Sequence, residues 1–419
     1  MLNQSALTPM PAHLHEDQVI ALLRSGAHGA LLSAYFGDVE YRELSQLAKL
    51  SATRQRSHGP LVFVLPGIMG SRLAMKQKGT LHLFWLHPAA VAQGHLLKLA
   101  LPGSRAMRPL GVMLPGYLKM KLMLEVGGYR PIFYPFDWRC DIERTARAFV
   151  RAVEGASVRK VMVVAHSMGG LVARAALRFD KNRRIAKLVQ LGAPNEGSFA
   201  PVQALRAVYP TVRKIAALDR LHSAEELARQ VFLTLPGLYQ LLPSARAPEE
   251  RDFFDPKNWP HDLAPDTRLL DEARKVRMRL PDADQRCHVI AGAAHETITS
   301  VEMKDGMFEY TSRCQGDGTV PLSRAHWPEA RTWYANENHG ALSVNDNVVT
   351  AIIDVLREGS TEHLAARPPQ AKPGVVQRIC DEDLRRCATK KVDWETLSLD
   401  SRRRILEPVF TPEFLASKA

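Results

Sequence analysis

Cysteine is scarce in this sequence. Five occur in 419 residues (Cys140, Cys287, Cys314, Cys380 and Cys387), an odd number, and none shows metal-ligand spacing. That excludes a disulfide-built scaffold and a structural zinc module, and it points to a reducing compartment, with the cytoplasm as the expected location. Cys380 and Cys387 fall on an expected helix, about 10 Å apart by helical rise and too far to bridge. No run of about 18 apolar residues occurs, so no membrane-spanning helix is expected. The opening residues, MLNQSALTPMPAHLHEDQ, contain neither the basic stretch nor the apolar core of a secretory signal. Internal repeats and low-complexity tracts are missing. Neither G-x-G-x-x-G nor G-K-[ST] is present, which removes the two common phosphate-cradling loops. No metal and no cofactor are expected.

What is there fits an ordinary globular protein. Apolar residues make up 46% and charged residues 24%, and a chain of this length buries a large core. The net charge is +12, from 56 Lys and Arg against 44 Asp and Glu. It favours an anionic partner, such as an acidic membrane surface touched peripherally. The basic residues are scattered, with short clusters at Arg183-Arg184, Lys390-Lys391 and Arg402-Arg403-Arg404. No nucleic-acid motif accompanies them, so no nucleic-acid partner is expected.

Apolar spacing predicts helices over 16–54. Strand signals then recur at Leu61–Leu65, Pro131–Phe136, Val161–Val164, Leu188–Leu191, Cys287–Ala291 and Thr332–Ala335, mostly separated by helical patterns. Alternation of this kind predicts an α/β fold with a mostly parallel sheet flanked by helices. The expected organisation is an N-terminal helical extension over 1–58, a catalytic α/β domain over 59–365, and a Pro-rich linker with a helical C-terminal tail over 366–419. Two insertions, 76–128 and 199–280, are expected to build a cap above the strand ends. Within the second, the apolar stretch Val231–Leu242 is either a lid that meets lipid or a buried piece of the cap, and the buried reading is preferred.

One segment carries chemistry. In Val161-Met162-Val163-Val164-Ala165-His166-Ser167-Met168-Gly169-Gly170 a β-branched strand runs into a serine between small residues, and a helix follows at once. This is the layout of a nucleophile elbow, with Ala165 where the G-x-S-x-G pattern has its first glycine. The blander alternative is a buried strand and a helix with Ser167 as its N-cap. A serine hydroxyl needs a base to take its proton and an acid to orient that base, in the chain order Ser, acid, His. Asp317, in Gln315-Gly316-Asp317-Gly318-Thr319-Val320-Pro321, is the candidate acid, after an expected hairpin turning at Asp305-Gly306; the alternative is a surface Asp-Gly turn. His339, after the last strand and before a helix expected at Val344–Leu356, is the candidate base. His326 and His295 are its rivals, one lying before the last strand and the other before the acid. His166, the variable position of the elbow, is not expected to be the base. Acyl transfer also needs donors aimed at a developing oxyanion. The Met168 N–H is one candidate. The Ile68 N–H, in the Gly-rich loop Pro66-Gly67-Ile68-Met69-Gly70-Ser71, is the other. Gly67, Met69, His166 and His295 are assigned to the substrate-binding surround.

Taken together, these segments resemble the lecithin:cholesterol acyltransferase family, which includes phospholipid:diacylglycerol acyltransferases and related bacterial esterases. The resemblance runs through Pro66–Leu73, Tyr134-Pro135-Phe136-Asp137-Trp138-Arg139, Ala165–Gly170, Leu191-Gly192-Ala193-Pro194-Asn195-Glu196-Gly197-Ser198, Gly316–Pro321 and His339, in family order over roughly residues 60–360. It implies an α/β-hydrolase fold and an esterase, lipase or O-acyltransferase that passes through acyl-Ser167. Ser167, Asp317 and His339 are then nucleophile, acid and base, and Ile68 supplies the second oxyanion donor. The implied substrate is a lipid or another carboxylic ester. Departures are Ala165, which several bacterial lipases share, and the lack of the signal peptide and lid disulfide of secreted members. Asp137 and Arg139 are read as a structural ion pair. The competing function class is a non-catalytic α/β-hydrolase-fold protein that binds a partner through its termini.

Overall fold

The computed structural model describes residues 14–54, 59–77, 80–103, 106–247, 250–370, 376–386, 391–398 and 401. Three helices open it: α1 (Glu16–Ser25), α2 (Gly29–Phe36) and α3 (Asp38–Arg54). His15 caps α1 by accepting the Asp17 N–H, and Gln18 reaches back to the His15 N–H, so two orphan donors of the first turn are satisfied. Then come β1 (Leu61–Leu65), an antiparallel trio of β2 (Ser71–Gln77), β3 (Thr80–Trp85) and β4 (Arg108–Val112), and helix α4 (Leu114–Val126). The core continues through β5 (Arg130–Phe133), α5 (Ile142–Glu154), β6 (Val161–His166), α6 (Met168–Phe179) and β7 (Ile185–Leu191). A cap follows, built on α7 (Ala200–Leu205), α8 (Pro210–Leu218), α9 (Ala224–Gln230) and α10 (Thr267–Met278). The chain returns through β8 (Cys287–Gly292), a hairpin of β9 (His295–Lys304) and β10 (Met307–Gly316), β11 (Arg331–Ala335) and α11 (Asp346–Glu358). Further described elements are β12 (Gln377–Cys380), α12 (Asp381–Arg386) and a 3-10 turn over Trp394–Thr396.

Six strands form one wholly parallel sheet in the order β11-β8-β7-β6-β1-β5. This is the α/β-hydrolase fold. Each of the six strand signals in the sequence lies in that sheet. The unbroken apolarity of β1 and β6 has a simple cause: both faces are covered. Along β1, Leu61, Phe63 and Leu65 enter one core cluster and Val62 and Val64 enter the other. The second cluster holds Leu114, Leu118 and Leu122 of α4, Val349 and Ile352 of α11, and Val19, Leu23, Leu32, Phe36, Leu44 and Ala48 of the three N-terminal helices. Those helices therefore share the core of the sheet. Lys119 of α4 stitches the layer with ion pairs of 2.6 Å to Glu43 and 2.8 Å to Asp346.

Five expectations need correction. The first insertion is not all cap, because its last helix, α4, lies in the layer against the sheet; its Leu- and Met-rich run reads as insertion only until β4 and β5 are known to bracket it. The tail does not begin as a helix: residues 377–380 pair antiparallel with β10, so Cys380 sits on a strand, and Cys387, Lys390 and Arg402–Arg404 lie outside the described residues. The strand expected at Pro131–Phe136 ends at Phe133, and the one expected from Leu188 begins at Ile185. The last long helix begins at Asp346, capped by Asn345, after a 3-10 turn over Ala341–Ser343.

The hairpin turns at Asp305-Gly306, both with positive φ, as that dipeptide favours. The stretch Val231–Leu242 is buried: Phe232, Leu235, Leu238, Tyr239, Leu241 and Leu242 all belong to the main core cluster. Phe253 and Trp259 of the cap stack edge-on against Phe308 of β10, with centroids 5.8 and 5.6 Å apart. The C-terminal segment straps cap to hairpin. Asp381 accepts from Arg206 of the cap at 2.9 Å and from Tyr310 of β10 at 2.7 Å, and Lys391 donates to the carbonyls of Ala216, Asp219 and His222 at the end of α8 and just past it.

Candidate active site

Ser167 joins β6 to α6 at φ 54°, ψ −123°. A non-glycine residue there carries about 1–3 kcal/mol of strain. The turn is held by the Ser167 N–H, which donates to the Leu191 carbonyl at 2.8 Å, and by the Ser167 carbonyl, which accepts from Gly170 at 2.9 Å. Small neighbours are a steric requirement. A Cβ on Gly169 would stand 2.4 Å from the Pro66 carbonyl oxygen, so only glycine lets α6 start this close to the end of β1. Ala165 is fully buried between Leu65 of β1 and Gln190 of β7, and its methyl group joins the core cluster.

The three residues singled out by chain order meet here. Ser167 Oγ lies 2.9 Å from His339 Nε2, and His339 Nδ1 lies 2.7 Å from Asp317 Oδ2. A carboxylate only accepts, so the imidazole proton sits on Nδ1 and the Nε2 lone pair faces the serine. Asp317 cannot swing away. Its Oδ1 accepts the N–H of Thr319 at 2.9 Å and of Val320 at 2.7 Å, and its carbonyl accepts the His339 N–H at 2.7 Å. All three are covered, at 5% exposure for Ser167, 7% for His339 and 1% for Asp317. The cap reaches this point directly: the Met168 methyl packs against Gly237.

The loop after β1 presses on the serine. A hydrogen bond from the Gly70 N–H to the Gly67 carbonyl closes a turn, with Met69 at φ 62°. Among the described residues, neither the Ile68 N–H nor the Met168 N–H has an acceptor. Met168 follows Ser167 in the chain, and Ile68 follows Gly67, which abuts the serine. Met69 is partly buried against the core and its carbonyl accepts from Trp85 Nε1 at 2.7 Å. Gly67 abuts Ser167, and its N–H donates to Tyr117 Oη at 2.9 Å.

His166 is not a group that faces a substrate. Its Nδ1 lies 2.8 Å from Tyr117 Oη and its Nε2 lies 3.0 Å from the His339 carbonyl oxygen, so both ring nitrogens are spent inside the protein. His295 opens β9 opposite Gly316, one residue before Asp317, and makes no hydrogen bond to the three central residues among those described. Asp137 and Arg139 are structural: the guanidinium, fully buried, donates twice to the carboxylate at 2.8 and 2.7 Å and once to the Leu99 carbonyl at 3.0 Å. The same motif docks on Ser71, through Phe136 N–H and Trp138 Nε1. Asn195 likewise serves the fold, bonding Gln190 and the Ala325 carbonyl. Tyr117 is the residue that sequence reading missed. It stands in an apolar helical run, and nothing in that run marks it. No group of acidic, histidine or cysteine residues fit for a metal ion occurs among the described residues.

Residues 146–240 match the family described as the PGAP1-like alpha/beta domain. That span holds the C-terminal part of α5, then β6, Ser167, α6, β7 and the first part of the cap. No curated protein matches the chain. Solved structures similar to it include the Tle4–Tli4 complex, at 14% identity, covering 73% of this chain and 100% of that one with a TM-score of 0.47. The mature lipase BlEst2 of Bacillus licheniformis is similar at 13% identity, covering 73% of this chain and 94% of that one with a TM-score of 0.37. Naproxen esterase from Bacillus subtilis is similar at 14% identity, 73% and 85% coverage, and a TM-score of 0.34.

Burial makes His166 a determinant of acid stability. Removal from water, and secondarily the nearby charge that His339 can carry, push its pKa down to about 3. His288, buried beside Lys187 and Arg331, is pushed down to about 4. An unfolded histidine takes a proton near pH 6.5, so between that pH and the folded values the unfolded chain binds more protons. Their stabilising contribution is thus complete above pH 6.5 and is lost progressively as pH falls from there to the folded values, by up to about 1.4 kcal/mol per pH unit from each. Urea unfolding at pH 7 and pH 4.5 is expected to show this loss, and His166→Phe to show a smaller one; equal acid sensitivity in the two proteins would remove His166 from the account.

Proposed function

We propose that this chain is a serine ester hydrolase acting on a lipid or another carboxylic ester through an acyl-Ser167 intermediate. The supporting observation is the unbroken hydrogen-bonded line from Asp317 through His339 to Ser167 Oγ, beside two N–H groups without acceptors among the described residues. His339 Nε2 takes the serine proton as Oγ attacks the ester carbonyl carbon. The carbonyl oxygen becomes an oxyanion held by the N–H groups of Ile68 and Met168. The protonated His339, steadied by Asp317, hands its proton to the departing alcohol, leaving the acyl group on Oγ. Water then attacks the acyl-enzyme with His339 again as base, releasing a carboxylic acid and restoring Ser167.

An alcohol in place of water would complete an O-acyl transfer with the same residues. The resemblance to the lecithin:cholesterol acyltransferase family keeps that reading open, carried by Tyr134–Arg139 and Gly316–Pro321. The net charge of +12 supports peripheral contact with an anionic membrane. Free thiols at Cys140, Cys287, Cys314 and Cys380 support a cytoplasmic location.

A fluorophosphonate probe is expected to label the protein, and Ser167→Ala to abolish both labelling and turnover of 4-nitrophenyl butyrate. Labelling that survives in the variant would sink the assignment. Labelled phospholipid supplied with and without an acceptor alcohol separates the two fates of the acyl group, since a new ester requires transfer. Failure of the wild-type chain to turn over any short ester would favour a non-catalytic binding protein.

A further inference from the structure

His166 and Tyr117 are buried, polar and unused by the acyl-transfer chemistry itself. The hydrogen-bond directions between them are forced. The Gly67 N–H can only donate, so Tyr117 Oη accepts it. The single Tyr117 hydroxyl proton is then free for His166 Nδ1, 2.8 Å away. That leaves His166 with its proton on Nε2, where the His339 carbonyl can only accept, at 3.0 Å. Every donor in the chain meets one acceptor. Its two ends are informative: one is the backbone of the loop that presents Ile68, and the other is the backbone of the base. Of the two middle members, His166 is covalently the residue before Ser167.

We propose that Tyr117 and His166 are positioning residues, a hydrogen-bonded strut that holds the Gly67–Ile68 loop and His339 at a constant separation around Ser167. The inference rests on the proposed acyl-Ser167 chemistry and adds two residues to it. Neither residue touches the ester. The strut acts by keeping the Ile68 N–H and the His339 imidazole in register with one oxyanion and one hydroxyl. A shift of about 1 Å between such groups costs roughly 100-fold in rate. The Tyr117 bond also takes the Gly67 N–H out of play, so the loop offers the Ile68 N–H to the oxyanion. Because burial keeps His166 neutral down to about pH 3, the strut has the same proton arrangement throughout the working range of a histidine base.

The test compares full-length wild type, Tyr117→Phe, His166→Phe, the double variant and His166→Gln. The readouts are kcat and KM on 4-nitrophenyl butyrate, the rate of fluorophosphonate labelling, and the melting temperature. Each Phe variant is expected to lower kcat and labelling rate about 10- to 100-fold with KM within roughly threefold. The double variant should lose no more than the more damaging single, because both break one chain. Glutamine keeps one donor and one acceptor and should recover about tenfold over phenylalanine. Wild-type kcat and labelling rate in both Phe variants, multiplied losses in the double, or a glutamine variant no better than phenylalanine would overturn the strut. If His166→Phe does not fold, Tyr117→Phe decides alone, since it removes one hydroxyl and keeps the ring. Labelling lost only in Ser167→Ala leaves the proposed function standing whatever the strut variants do; labelling that persists in Ser167→Ala removes the function itself.

Discussion

Asp317→Asn is expected to keep the fold and lose about 10⁴-fold in kcat. The carbonyl of the introduced amide would take over the N–H bonds of Thr319 and Val320 that Oδ1 now accepts. That turns the amide NH₂ towards His339 Nδ1, where a carboxylate oxygen stands at 2.7 Å. A donor facing Nδ1 makes that nitrogen the acceptor, and the imidazole proton moves to Nε2. Nε2 then offers a hydrogen to Ser167 Oγ instead of a lone pair, and the hydroxyl loses its base. The loss should fall on kcat, with little change in melting temperature. A variant within tenfold of wild type would mean that Asp317 does not set the tautomer of His339.

Gly67→Ala is expected to lower kcat by about 100-fold or more, again with the fold intact. A methyl group there would stand 2.9 Å from Ser167 Cβ, 3.4 Å from Ser167 Oγ and 3.3 Å from His166 Nδ1. Ser167 is pinned by its own turn, so the loop has to withdraw. It would carry the Ile68 N–H away from the oxyanion position and stretch the Gly67–Tyr117 bond. Removal of one oxyanion donor costs about 100- to 1,000-fold in kcat. Steady-state kinetics on a short ester and the labelling rate should fall together, and unchanged kinetics would place the second oxyanion donor outside this loop.

Much of the site is legible in the sequence because its requirements are local. An elbow needs small residues at 165, 169 and 170. The acid needs a turn that points one carboxylate inward, and Gly316 and Gly318 bracket Asp317 to provide it. His339 is legible by order, as the histidine that follows the last strand. The sheet is equally legible, since strands covered on both faces must be apolar along their length, as Leu61–Leu65 and Val161–Val164 are.

Other features depend on partners distant in sequence. Helix α4 reads as an inserted apolar stretch until it is seen against the N-terminal helices and the sheet. Residues 377–380 carry no strong strand pattern of their own; they become a strand by completing the exposed edge of β10, and Asp381 beyond them is anchored by Arg206 and Tyr310. His166 reads as a pocket residue by its place beside the serine, yet its ring is taken up by Tyr117 and the His339 carbonyl.

From the sequence alone came the parallel sheet, the small-residue turn at Ser167 and the ordered trio of serine, acid and histidine, because periodicity, turn sterics and chain order are properties of neighbours. Only the tertiary structure decided that Tyr117 lies beneath the loop at Gly67, that His166 joins that loop to His339, and that Gly237 packs on the Met168 methyl. Those contacts span 49 to 173 residues of chain, and which side chains meet across such distances is set by how the layers pack.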